Sequence, residues 1–173
     1  MFEHIYELLR SPIYDMHIME KPQLDWLIEF QPTIRKIWIR GDVNTPFETL
    51  DPIFKRLKVT DRFRLQSVEA DMKTKVTEPL PYRSITIDHS YWLSLPAILN
   101  GNNFIILLDR SELTPKEINT ILKEWQMGNK LRNLKYLKIR TSKLKDLDSY
   151  TNEVLKDLNS TESDGNDGRP SAV

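Results

Sequence analysis

Ile34-Arg35-Lys36-Ile37-Trp38-Ile39 puts large apolar residues at its first, fourth and sixth positions. Ile13/Met16/Ile18, Tyr82/Ile85/Ile87 and Leu134/Leu137/Ile139 repeat that spacing, and Phe63/Leu65 carries it in weaker form. The central residues Met16, Ile37, Phe63 and Ile85 are separated by 21, 26 and 22 positions. Within each stretch the last two apolar residues alternate with a non-core neighbour, as in a strand that buries one face. A short strand returning every 20 to 29 residues or so is the mark of a stack of repeated units.

Helical sequence fills the intervals. Phe2, Ile5, Tyr6 and Leu9 share one helix face, and Ser11-Pro12 stops that helix because proline disfavours helical geometry in the residue before it. Pro22 opens a second helix with Leu24, Leu27 and Ile28 on one face, and Pro32 follows its end. Thr45-Pro46-Phe47-Glu48 combines a hydroxyl N-cap, a proline at the first helical position and a carboxylate at the third, and Leu50, Ile53, Phe54 and Leu57 continue the buried stripe. Thr114-Pro115-Lys116-Glu117 repeats the device ahead of Ile118, Ile121, Leu122 and Trp125. Two like helix starts, each after a strand, speak for a repeated unit.

Strands are expected at 13–19, 33–40, 62–67, 84–89, 104–109 and 134–140, with a polar loop at 69–81 and a short apolar helix around 91–99. A last helical stretch carries Leu144, Leu147, Tyr150 and Val154. Strands alternating with helices pair in parallel, with helices over a face. The expected fold is therefore α/β: an irregular leucine-rich-repeat-like stack of helix–strand units with a mostly parallel sheet. The interval from Ile105 to Leu137, at 32, breaks the regularity, and an ordinary α/β sandwich is the alternative. Residues 1–158 are expected to form one domain. Residues 159–173, nearly devoid of apolar side chains, are expected to be a disordered tail.

Composition narrows the function. Lys+Arg and Asp+Glu are both 25, so there is no global field to draw nucleic acid or an anionic membrane. Without cysteine there is no disulfide framework or thiolate metal site. The N-terminal residues do not read as a signal peptide, and the apolar run 104–108 is too short to span a bilayer. These features point to an intracellular domain, cytoplasmic or nuclear.

The stretch from Ile105 to Ile139 contains Ser111-Glu112-Leu113-Thr114, Glu117-Ile118-Asn119, Leu122-Lys123-Glu124-Trp125, Gly128-Asn129 and Leu134-Lys135-Tyr136-Leu137-Lys138-Ile139. It resembles the F-box-associated (type 2) domain of the nematode F-box B proteins, as does the start Phe2 to Leu9 followed by Pro12-Ile13-Tyr14-Asp15. One departure is Gly128-Asn129-Lys130-Leu131-Arg132-Asn133, where the family writes glycine-serine-asparagine-proline-arginine-leucine. The resemblance implies a protein-recognition role: in that family the F-box docks on a Skp-type adaptor of a cullin ubiquitin ligase, and the associated domain holds the substrate. No F-box is expected in this chain. The expected partner is therefore a protein of unknown identity, with the ligase adaptor joining only if an F-box is supplied elsewhere. The alternatives are a stand-alone interaction protein and a truncated paralogue.

With the apolar positions inward, alternation puts His17, Trp38, Arg64, Thr86 and Lys138 on the open face, flanked by Arg40 and Tyr136 among others. Aromatic residues among arginines have the composition of a binding hot spot, and these seven residues are the candidate partner-binding set. His4, His17 and His89 sit on different elements without convergent ligands, so neither catalysis nor a metal or other cofactor is expected. The seven cations between Lys130 and Lys145 are interleaved with core-type leucines and read as a solvated edge rather than an RNA site. Trp26, Trp92 and Trp125 read as core.

Overall fold

A computed structural model of the chain describes residues 11–40, 50–66, 75–141 and 146–158. The first helix at 2–9, the 45–48 helix start, part of the 69–81 loop, Leu144 and the 159–173 tail lie outside the described residues. In chain order the elements are β1 (Asp15–Ile18), α1 (Lys21–Phe30), β2 (Thr33–Ile39), α2 (Leu50–Arg56), β3 (Lys58–Leu65), β4 (Ser84–Ile87), α3 (Leu95–Leu99), β5 (Ile105–Ser111), α4 (Pro115–Gln126), β6 (Tyr136–Thr141) and α5 (Leu147–Leu155).

The six strands form one sheet in the order β1-β2-β3-β4-β5-β6, every pair parallel. The fold is α/β, with helices alternating with the strands of an all-parallel sheet. The spaced apolar residues meet in register: Met16, Ile37, Phe63, Ile85, Ile106 and Leu137 make one row, and Ile18, Ile39, Leu65, Ile87, Leu108 and Ile139 the next. The first five of each row are buried, whereas Leu137 and Ile139, on the last strand, are partly covered. Sequential parallel order adds each unit to the same advancing edge. Because such crossovers are right-handed, they fall on one side of the sheet and leave the other side open.

Strand β3 starts at Lys58, four residues before the sequence-based expectation. Thr33 pairs with Lys58 and Ile34 with Val59, after which Thr60 and Asp61 together face Arg35. This bulge breaks the alternation that marks a strand, so the early half of β3 reads as loop. Asp61 answers Arg35 there, with Oδ2 to Nε at 3.4 Å.

The helices start as their capping chemistry requires. Glu117 Oε2 accepts from the Thr114 N–H at 2.8 Å, and Thr114 Oγ1 accepts from the Glu117 N–H at 3.3 Å. This reciprocal pair satisfies donors that the first helical turn leaves free. At α1, Gln23 Oε1 accepts from the N–H groups of Met19 and Glu20, a cap with no serine or threonine to announce it. Asn119 ties α4 to the end of α5, its Nδ2 donating to the carbonyls of Val154 and Lys156 at 2.9 and 2.8 Å.

Beneath the sheet, Phe63 and Tyr82 stack at 4.3 Å, and Phe54 meets both edge-on. Trp92 is fully buried, while Trp26 and Trp125 are half-buried against the core. Trp125 Nε1 donates to the Leu134 carbonyl at 3.0 Å. Asn103, also buried, donates through Nδ2 to the carbonyls of Leu80 and Tyr82, which secures the turn entering β4.

Two outcomes follow from this core. Ile37 is only 2% exposed at the centre of a buried row, so Ile37→Asp places an unpaired charge there. Its cost of about 4 kcal/mol or more should abolish cooperative thermal unfolding in circular dichroism. Burial pushes the Tyr82 hydroxyl, which donates to the Ile53 carbonyl at 3.2 Å, above its ordinary pKa of 10.0. The unfolded chain therefore loses this proton first. The stabilisation is fully present below pH 10 and declines as pH rises toward the folded value. Denaturant midpoints measured from about pH 9 to 11.5 should fall less steeply in Tyr82→Phe than in the native chain.

Candidate functional site

Strand register decides which side chains share the open face. His17, Trp38, Arg64, Thr86, Leu107 and Lys138 form one continuous row across all six strands. Asp15, Lys36, Arg62, Ser84, Ile105 and Tyr136 form the row nearer the strand starts. Arg40 directly follows β2, its N–H donating to the Ile18 carbonyl.

Trp38 is the hub of the β1–β3 half. The Arg64 guanidinium lies over its ring, with Cζ 4.3 Å from the centroid, and the Arg40 Cζ is at 6.0 Å. His17 meets the same ring edge-on at 4.9 Å. Arg64 is held in place by Asp88, whose Oδ2 accepts from Nη2 at 2.9 Å and from Nε at 3.2 Å. One carboxylate on β4's trailing end thus fixes an arginine on β3 over an indole on β2.

The β4–β6 half carries a small open cavity of about 110 Å³, lined by Thr86, Asp88, Leu107, Asp109, Lys138 and Arg140 over an apolar floor. Asp109 lies 3.7 Å from Arg140. It sits at a second bulge, where Asp109 and Arg110 face a single residue of β6 and Arg110 takes φ 49°. A left-handed arginine costs roughly 1 kcal/mol, so this bend is held by its surroundings.

Of the seven candidates, His17, Trp38, Arg40 and Arg64 are therefore brought into one cluster. Thr86 and Lys138 border the neighbouring cavity. Tyr136, 46% exposed, belongs to the other row and stands apart with Arg83, Phe104 and Lys135. Leu107 shares the candidates' row but has no sequence signal, since Phe104 to Leu108 is apolar throughout and the alternation disappears. Asp88 and Asp109, which anchor the arginines, show their roles only through the register.

The described histidines, His17 and His89, are three strands apart. Among the described residues no group of three or more His, Asp or Glu side chains is placed to hold a metal ion. Of the basic stretch, Lys143 and Lys145 lie outside the described residues, and three of the described cations make separate contacts. Lys130 bonds the Asn100 side chain, Arg132 bonds the Gly128 carbonyl, and Arg140 faces Asp109. No helix among the described residues is long and apolar enough to cross a membrane.

Residues 79–139, from the approach to β4 through most of β6, match the family model described as F-box associated. The searches of curated proteins and of solved structures gave no match. The matched stretch contains Tyr136 and every residue lining the small cavity except Arg140, whereas the residues of the Trp38 cluster lie before it.

The Trp38 cluster should be separable from the core. Arg64 and Asp88 are both partly exposed, so Arg64→Ala is expected to cost only about 1 kcal/mol in denaturant unfolding. It should also uncover the indole, seen as increased acrylamide quenching that is absent in the Trp38→Phe background.

Proposed function

We propose that the open face of the sheet is a protein-recognition surface and that the chain is a non-enzymatic binding module. The observation that carries this reading is Trp38 at the centre of His17, Arg40 and Arg64. Tryptophan and arginine dominate the energetics of protein interfaces, where rigid rings combine large contact area with directional donors. The match over 79–139 supports a role linked to F-box proteins. On this reading the module works inside the cell and holds a substrate protein. It serves a cullin-type ubiquitin ligase where an F-box reaches the Skp-type adaptor.

Affinity purification of the tagged chain from its native extract, with mass spectrometry, tests this reading. The native chain should retain at least one reproducible protein partner. The Trp38→Ala/Arg64→Ala pair should lose it by about tenfold or more while keeping its melting temperature within a few degrees. Adaptor and cullin in the eluate would make the chain a ligase subunit, and a partner without them would make it a stand-alone recognition domain. Undiminished capture by the double variant would remove the open face from the interaction.

A further inference from the structure

The cations of the open face fall into two sets. Towards the strand ends two arginines have an acidic answer, Arg64 bonding Asp88 and Arg140 facing Asp109, whereas Lys138 forms no ion pair among the described residues. Towards the strand starts four cations lack one. Lys36 on β2 and Arg62 on β3 are direct register neighbours, which sets two like charges side by side. Arg83 directly precedes β4 and Lys135 directly precedes β6, so both lie one position below the same row. Among the described residues none of these four forms an ion pair.

Arg83 and Lys135 are drawn together by an aromatic ring instead of a carboxylate. The Arg83 Cζ lies 4.3 Å and the Lys135 Nζ 5.6 Å from the centroid of Phe104. With Asp61, Ser84, Ile105 and Tyr136 they border an open cavity of about 360 Å³. Two carboxylates stand at this rim. Asp61 is engaged by Arg35, and exposed Asp15 lies in register with Lys36. The chain as a whole is neutral, so four unanswered cations along one rim are not a consequence of composition. They mutually repel, and that cost is relieved when an anion covers them.

Resting on the reading of this face as a recognition surface, we propose that its strand-start rim binds an acidic, extended segment of the partner protein. From β2 to β6 there are four strand spacings, about 19 Å, which an extended chain covers in about six residues. Carboxylates along such a segment would meet Lys36, Arg62, Arg83 and Lys135 in turn, with Phe104 and Tyr136 contacting its apolar atoms. A nucleic-acid strand fits less well, because the four cations span only about 19 Å of a chain whose net charge is zero, and among the described residues no extended basic surface continues them along a phosphate backbone.

Fluorescence anisotropy with the full chain and labelled hexaglutamate, hexalysine and oligothymidylate tests the proposal. Hexaglutamate should bind, and weaken as salt is raised from about 50 to 200 mM. Hexalysine should not bind. Arg62→Glu combined with Arg83→Glu should lower hexaglutamate affinity by about tenfold or more, while Lys116→Glu on the exposed face of α4 should leave it unchanged. Thermal melts of both variants guard against a folding defect.

Equal binding of hexaglutamate by native and rim-reversed protein would overturn the proposal. So would tighter binding of oligothymidylate than of hexaglutamate. If hexaglutamate fails but Trp38→Ala/Arg64→Ala still abolishes partner capture, the recognition face stands and the acidic preference falls. If both fail, the face itself is excluded.

Discussion

Parallel pairing between each strand and the next one in the chain is the constraint on which the rest of this protein depends. A parallel partner cannot be reached by a tight turn, so every connection must cross back over the sheet. When each crossover also advances the sheet by one strand in the same direction, chirality keeps all the crossovers on one side. The helices then cover a single face, and two rows, those of Ile37 and Ile39, run across it, buried on the first five strands and partly covered on the last. Phe63, Tyr82 and Phe54 fill the space between that face and the helices. The opposite face is left to water or to a partner.

That exposed face is polar in composition but ordered in construction. Along the Trp38 row an indole, a guanidinium and an imidazole pack against one another, with Asp88 fixing the guanidinium from the next strand. Such cross-strand contacts restrict side chains that would otherwise sample many rotamers, and a surface ordered in advance loses less entropy on binding. Nearer the strand starts the electrostatics change, because Arg83 and Lys135 gather around Phe104 rather than around an acid. One sheet thereby offers a rigid aromatic centre and a cationic border. Both are products of the same strand register.

Much of the architecture was legible residue by residue. Met16, Ile37, Phe63 and Ile85, picked out by spacing alone, stand side by side in register. The Thr114–Glu117 helix start forms the reciprocal cap that its residues imply. The first half of β3 and the cap at Gln23 were not legible. A bulge disrupts alternation at Thr60-Asp61, and a glutamine reaching back to two amides leaves no hydroxyl signature. Leu107 was hidden by the uniform apolarity of its strand.

Alternation and helix capping are local properties, set by side-chain direction along one element, and they are why the sequence by itself determined that strands and helices alternate, which residues face inward and which are candidates for the open face. It also pointed to the F-box-associated resemblance that the match over 79–139 supports. Only the tertiary structure decided that the strands stack in sequential order. It alone decided that Arg64 lies over Trp38 and bonds Asp88, and that Arg83 and Lys135 meet at Phe104. These contacts join residues 21 to 52 positions apart, and their geometry depends on the register between strands. Register is fixed by how whole rows of side chains pack and by where bulges shift the pairing, so no single segment encodes it.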